Sequence, residues 1–200
     1  MSGASASGAE AERPTLVLAS SSPQRRAILE RLGVEFVVRP SSANELDRGD
    51  PGAIPLENAL AKARLAYSPG ENETVLGCDT LVSLAGVIYG KPPDEHAARE
   101  MLRALSGERH EVVSGLALLG PGAGEHPLTT VARTAVTFRE LGEDQLDWYL
   151  ATGEWRGRAG GYAIQGAGAA LVRRVEGDYE NVVGLPLAAL LDIYPELLNR

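Results

Sequence analysis

The chain has 200 residues, 44% hydrophobic and 23% charged, an ordinary globular composition with room for one substantial core or two small lobes sharing a cleft. Its net charge of −8 argues against a nonspecific nucleic-acid binder, so any anionic ligand needs a local cluster of basic groups. The single cysteine, Cys78, excludes an internal disulfide and a cysteine-based zinc site, and no apolar run reaches the roughly 18 residues of a membrane span.

Residues 1–13 are small, polar and slightly acidic, without the apolar core of a secretory signal. They predict a disordered tail ahead of a single domain over 14–200, with the cytoplasm as the expected compartment. "TLVLA" (15–19) predicts a buried strand. Ser22 is the expected N-cap and Pro23 the first residue of the next helix, with Ile28, Leu29 and Leu32 on its apolar face and Gly33 at its end. "VEFVV" (34–38) predicts a second strand. A polar loop then leads to a helix at about 55–67, with Leu56, Leu60, Ala63 and Tyr67 on one face.

"TVLGC" (74–78) predicts a buried strand, and "LVSLAGVIYG" a hairpin turning near Ala85-Gly86. Asp94 caps a helix closed by Gly107. Two longer strands follow, then a short helix around 143–151, a glycine-dense loop before a strand, and a closing helix in "PLAALLDIYPELL". Interleaved elements early and antiparallel runs later predict an α/β fold with a mixed sheet and two lobes.

Several stretches carry chemistry. In "LASSSPQRRAILERLG" (18–33) a serine-rich turn meets a helix N-terminus, whose free N–H groups and dipole favour anions. Arg25 and Arg26 are misplaced there unless a phosphate neutralises them or they fan into solvent. Asp79, in "GCDTLV", is expected at the C-terminal end of a strand, where it binds a cation, accepts a proton from water, or caps a turn with Thr80. "YGKPPD" fails as a Walker A motif, yet Lys91 can reach a phosphate as a point charge.

Lys62 lies off the apolar stripe, so a solvated face is its default reading, and Glu45 reads as loop decoration. "AGGYAIQGAGA" (159–169) offers Gln165, with both donor and acceptor, for a nucleobase edge. His96, His110 and His126 do not cluster, and Trp148 and Trp155 are expected to pack.

With these residues in hand, the chain closely resembles the Maf family, the septum-formation-inhibitor-like nucleoside triphosphate pyrophosphatases, from about residue 16 to 191. The blocks carrying the resemblance are "LASSSPQRRAILERLGVEF", "CDTLVSLAGVIYGKP", "AREMLRALSGERHEVVSGLAL", "AGGYAIQGAGA" and "GDYENVVGLPL". The resemblance implies an elongated mixed sheet flanked by helices, with a nucleotide cleft between two lobes. It also implies a cytoplasmic homodimer that uses Mg²⁺ or Mn²⁺ to hydrolyse nucleoside triphosphates to monophosphate and pyrophosphate.

Carried onto this chain, the family's general base falls on Asp79, which also serves the metal, and its acidic metal-supporting position falls on Glu45. Its phosphate contacts fall on Ser20, Arg25, Lys62 and Lys91. Its base-preference positions hold Gln24, Thr80 and Gln165. Thr80 and Gln165 match the branch acting on dTTP and UTP. Gln24 matches neither the arginine of that branch nor the tryptophan of the methylated-guanine branch. Cys78 stands where the family more commonly has alanine or serine, which reads as a small-for-small packing change, although an exposed thiol there would make the enzyme oxidation-sensitive. The expected partner is a nucleoside triphosphate substrate, with no nucleic acid or membrane. The alternative from another class is a non-catalytic nucleotide-binding regulator that restrains cell division through a partner protein.

Overall fold

The first apolar run forms β1 (Thr15–Leu18), with its last three residues buried. The computed structural model describes residues 14–123 and 126–198, so the tail expected over 1–13 lies outside the described residues. Pro23 opens α1 (Pro23–Arg31) and Ser22 sits at its N-cap, but the Ser22 hydroxyl donates to Gln24 Oε1 instead of capping a helix N–H. The chain returns as β2 (Phe36–Val38), parallel to β1, in the expected strand–helix–strand unit.

α2 (Ile54–Ala66) turns a different face inward from the one its leucines suggest. Pro55, Asn58, Ala59, Lys62, Ala63 and Ala66 are buried, while Leu56 and Leu60 are only half-buried. The reason lies in the sheet beneath, in β3 (Glu73–Leu84) and β5 (Arg109–Leu119). A Cβ on Gly77 would stand 2.1 Å from the Ala59 carbonyl oxygen, and one on Gly115 would stand 2.3 Å from the Leu56 nitrogen. The helix therefore rests on bare backbone, and only small or slender side chains fit its contact face.

β3 does not stop at Cys78 as expected; it runs through Asp79 to Leu84 and turns at Ala85-Gly86 into β4 (Val87–Tyr89). On one edge, β5 accompanies it from Val75 to Ser83. On the other edge, β1 pairs only as far as Leu76 and β4 begins only at Val82. Between them, residues 77–81 of β3 face a notch in the sheet. Asp79 is thus mid-strand in its own chain, yet beyond the carboxyl end of β1. The parallel-sheet rule for ligand sites still applies, through the neighbouring strand.

α3 (Glu95–Leu105) is capped by Asp94, whose carboxylate accepts from the Ala97 N–H at 2.8 Å. β6 (Leu128–Phe138), α4 (Glu143–Ala151) and β7 (Val172–Glu176) follow, and then a helix the sequence had not signalled, α5 (Tyr179–Val183). The closing helix is shorter than expected: α6 (Leu187–Ile193) ends before Pro195, and a 3-10 turn continues it.

The strand order is β2-β1-β3-β5-β6-β7 with β4 on β3, parallel among β1, β2 and β3 and antiparallel elsewhere, the mixed sheet that was expected. One apolar cluster gathers Val82, Leu102, Val112, Phe138 and Tyr149, and another gathers Leu18, Leu29, Leu76, Leu116 and Leu190. The notch on β3 falls between them. Trp155 joins the first cluster, whereas Trp148 is half exposed and is not a core residue.

Candidate active site

A cleft of about 720 Å³ opens at the notch. Every residue expected at the site lines it: Ser20, Gln24, Arg25, Glu45, Lys62, Asp79, Thr80, Lys91 and Gln165. In a chain of net charge −8, this cleft holds five cations (Arg25, Lys62, Lys91, Arg156, Arg158) against three carboxylates (Glu45, Asp47, Asp79). The acidic chain thus carries a locally positive cleft.

Asp79 is 8% exposed, with both oxygens held from α2: Oδ1 accepts from Lys62 Nζ at 2.6 Å and Oδ2 from Asn58 Nδ2 at 2.9 Å. Asn58 and Lys62 are one helical turn apart, so they project from the same face of α2. The default reading of Lys62 as a solvated lysine is therefore corrected: it is 7% exposed, because α2 docks through its small face. Glu45 is no mere decoration, since it reaches Lys62 Nζ at 2.9 Å.

Asn58, missed in the sequence, also bonds both backbone groups of Leu46, so it fixes the loop beside Glu45 as well as the carboxylate. The only sequence signal for it is its spacing of four from Lys62.

The two arginines of α1 separate. Arg26 points outward to Glu30, 2.7 Å away, an exposed helix pair of small energetic weight. Arg25 turns in and is 8% exposed. Its guanidinium donates to Ser20 Oγ at 2.9 Å, to Thr80 Oγ1 at 3.2 Å and to the carbonyl of Gly184 at 2.9 Å.

Gly184 ends α5, so that carbonyl belongs to a helix C-terminus, where cations are favoured. The unfavourable N-terminal placement of Arg25 is offset in part by the C-terminus of another helix. Among the described residues no carboxylate pairs with it, which leaves its charge available to an anion. Thr80 Oγ1 is braced in turn by Ser114 Oγ at 2.8 Å.

Lys91 is exposed at the rim and forms no ion pair among the described residues. Gln24 lines the cleft with Oε1 facing the Ser22 hydroxyl, and Gln165 lines it from the glycine-rich loop. His110 is buried outside the polar centre, with Nε2 2.9 Å from the Tyr162 hydroxyl; burial pushes its pKa down to about 4, so it stays neutral.

Cys78 packs as a small core residue, as expected of a small-for-small exchange. It is fully buried, and burial pushes its pKa up, so it is a poor nucleophile. Alkylation by iodoacetamide, followed by mass spectrometry, is expected to be negligible in the native protein and complete after denaturation. Stoichiometric native labelling would show that β3 opens at this point.

Among the described residues no helix is long and apolar enough to cross a membrane. Residues 15–197 match the family model described as Maf-like protein. A dTTP/UTP pyrophosphatase of Pyrococcus furiosus is 44% identical over 89% of this chain and 93% of its own. Proteins of the same name from Anaeromyxobacter dehalogenans and Moorella thermoacetica are 48% and 49% identical, over 88% and 89% of this chain and 90% and 92% of their own. The Ham1 protein of Staphylococcus aureus, a solved structure, aligns over 63% of this chain and 72% of its own, with a TM-score of 0.46 and 17% identity. A match to the family model across nearly the whole described chain makes this protein a member of the Maf family.

Proposed function

We propose that the protein is a nucleoside triphosphate pyrophosphatase that hydrolyses dTTP and UTP to the monophosphate and pyrophosphate. The observation that carries this reading is a carboxylate, Asp79, clamped by Lys62 and Asn58 inside a cleft with more cations than acids. The names of the similar proteins support the base preference, as do Thr80 and Gln165 in the cleft wall.

In this mechanism the Asp79 carboxylate, oriented by its two donors, uses a remaining lone pair to accept a proton from water. That water attacks the α-phosphorus, the bond from the α-phosphorus to the bridging oxygen breaks, and pyrophosphate leaves with the bond's electron pair. Arg25 and Ser20 bind phosphate oxygens, Lys91 adds a point charge, and Lys62 stabilises charge developing near Asp79.

The donor set fits a divalent cation. Asp79 and Glu45 both reach Lys62 Nζ, so their oxygens converge on one small volume. No group of three or more His, Cys, Asp or Glu side chains gathers among the described residues, so water and substrate phosphates would complete the set begun by Asp79 and Glu45. That is the usual way Mg²⁺ is held in phosphate chemistry. When bound there, a Mg²⁺ or Mn²⁺ ion neutralises the phosphates.

Incubating the protein with a panel of standard and modified nucleotides plus Mg²⁺, and measuring pyrophosphate, tests the proposal. Release is expected to be fastest with dTTP and UTP. No release from any nucleotide would overturn the enzyme reading in favour of a non-catalytic nucleotide-binding regulator.

A further inference from the structure

Two of the five cations in the cleft, Arg156 and Arg158, come from the turn after α4 and have no part in the site as described so far. They differ in their surroundings. Arg156 lies over the Trp155 ring, 4.5 Å from its centroid, and so has a partner. Arg158 is half-buried, and its Nε is fully buried with no hydrogen-bond partner among the described residues. It forms no ion pair among them either.

An arginine that lines a cleft with more cations than acids, and that has no carboxylate partner among the described residues, keeps its charge for an anion entering that cleft. The loop is also fixed in place. The Gly160 N–H donates to the Gly90 carbonyl at 3.0 Å, joining the Arg158 segment to the turn that carries Lys91. Two cations of the cleft thus stand on neighbouring backbone segments, neither neutralised by a carboxylate among the described residues. Lys62 and Asp79, by contrast, sit deeper beneath α2.

We propose that Arg158 is a further substrate-binding residue, acting with Lys91 on the β- and γ-phosphates that depart as pyrophosphate. The assignment rests on the pyrophosphatase reading above. The planar guanidinium fork matches two phosphate oxygens, and the ammonium of Lys91 adds charge without directional demand.

The test compares Arg158→Gln and Arg158→Lys with the wild type, reading KM for dTTP and inhibition by each product separately. Loss of a charge-assisted contact is expected to raise KM and weaken inhibition by inorganic pyrophosphate by roughly tenfold to thirtyfold in Arg158→Gln. Arg158→Lys should fall between that variant and the wild type. Inhibition by dTMP, which lacks those two phosphates, should stay within about twofold, a contrast that a merely structural arginine would not produce.

Unchanged pyrophosphate inhibition, or equal weakening toward both products, would overturn the assignment. Should Arg158→Gln fail to fold, Arg158→Lys carries the same contrast. If the wild type hydrolyses no nucleotide, the functional reading fails by itself. Calorimetric titration of wild type and variant with inorganic pyrophosphate then still decides whether Arg158 binds that anion.

Discussion

Asp79→Asn is expected to lower kcat/KM for dTTP by about a thousandfold while leaving the protein folded, within the range ascribed to positioned general bases. The substitution is nearly isosteric, but an amide has one acceptor oxygen where the carboxylate has two. Lys62 Nζ and Asn58 Nδ2 both donate to residue 79, so one of them must then face an NH₂ group.

Asn58 has little freedom to adapt, because its own oxygen accepts from the Leu46 N–H and its nitrogen donates to the Leu46 carbonyl. A stability loss of about 1–2 kcal/mol is therefore expected beside the catalytic loss, as for other mismatched buried hydrogen bonds. Steady-state kinetics and a thermal melt separate the two effects. A variant that melts as a folded protein yet keeps pyrophosphate release within a few-fold of wild type would remove Asp79 from the role of base.

What the sequence made legible, and what it hid, follows from the range of the forces involved. Asp94, Pro23 and the Ala85-Gly86 turn declare themselves because capping and turn formation depend on a few adjacent residues. The serine-rich turn meeting a helix N-terminus was legible for the same reason. The different fates of Arg25 and Arg26 were not, because they depend on Gly184, far along the chain.

Lys62 was obscured by a long-range cause. The leucines of α2 suggest one buried face, but the missing side chains at Gly77 and Gly115 draw in another, and Lys62 and Asn58 go with it. β3 looked like two strands because a polar Asp-Thr pair interrupts its apolar run. In the fold that pair lies in the notch, where cleft walls replace a partner strand. The resemblance to a family supplied the role of Lys62, which the physics of the local sequence did not.

The same glycine contact yields the second large effect, with a variant that touches no substrate. Gly77→Ala is expected to lower kcat/KM by about a hundredfold and stability by about 1–3 kcal/mol. Its backbone has no positive φ, so the conformation itself suits alanine, and the penalty is one of space. The new methyl would lie 2.1 Å from the Ala59 carbonyl oxygen and 2.9 Å from the Ala63 Cβ. The first of these is helix backbone, which no side-chain rotation can relieve, so α2 must lift.

Asn58 and Lys62 ride on that part of the helix, and with them both donors to Asp79. A displacement of about 1 Å is enough to cost two orders of magnitude in a positioned site. Gly115→Ala meets the same helix at Pro55 and Leu56, at 2.3 Å, and should give the same pairing of lost activity and lost stability from an independent position. If both variants retained the kinetics of the wild type while their melting temperatures fell, the docking of α2 would serve stability alone, and Lys62 would not owe its catalytic position to it.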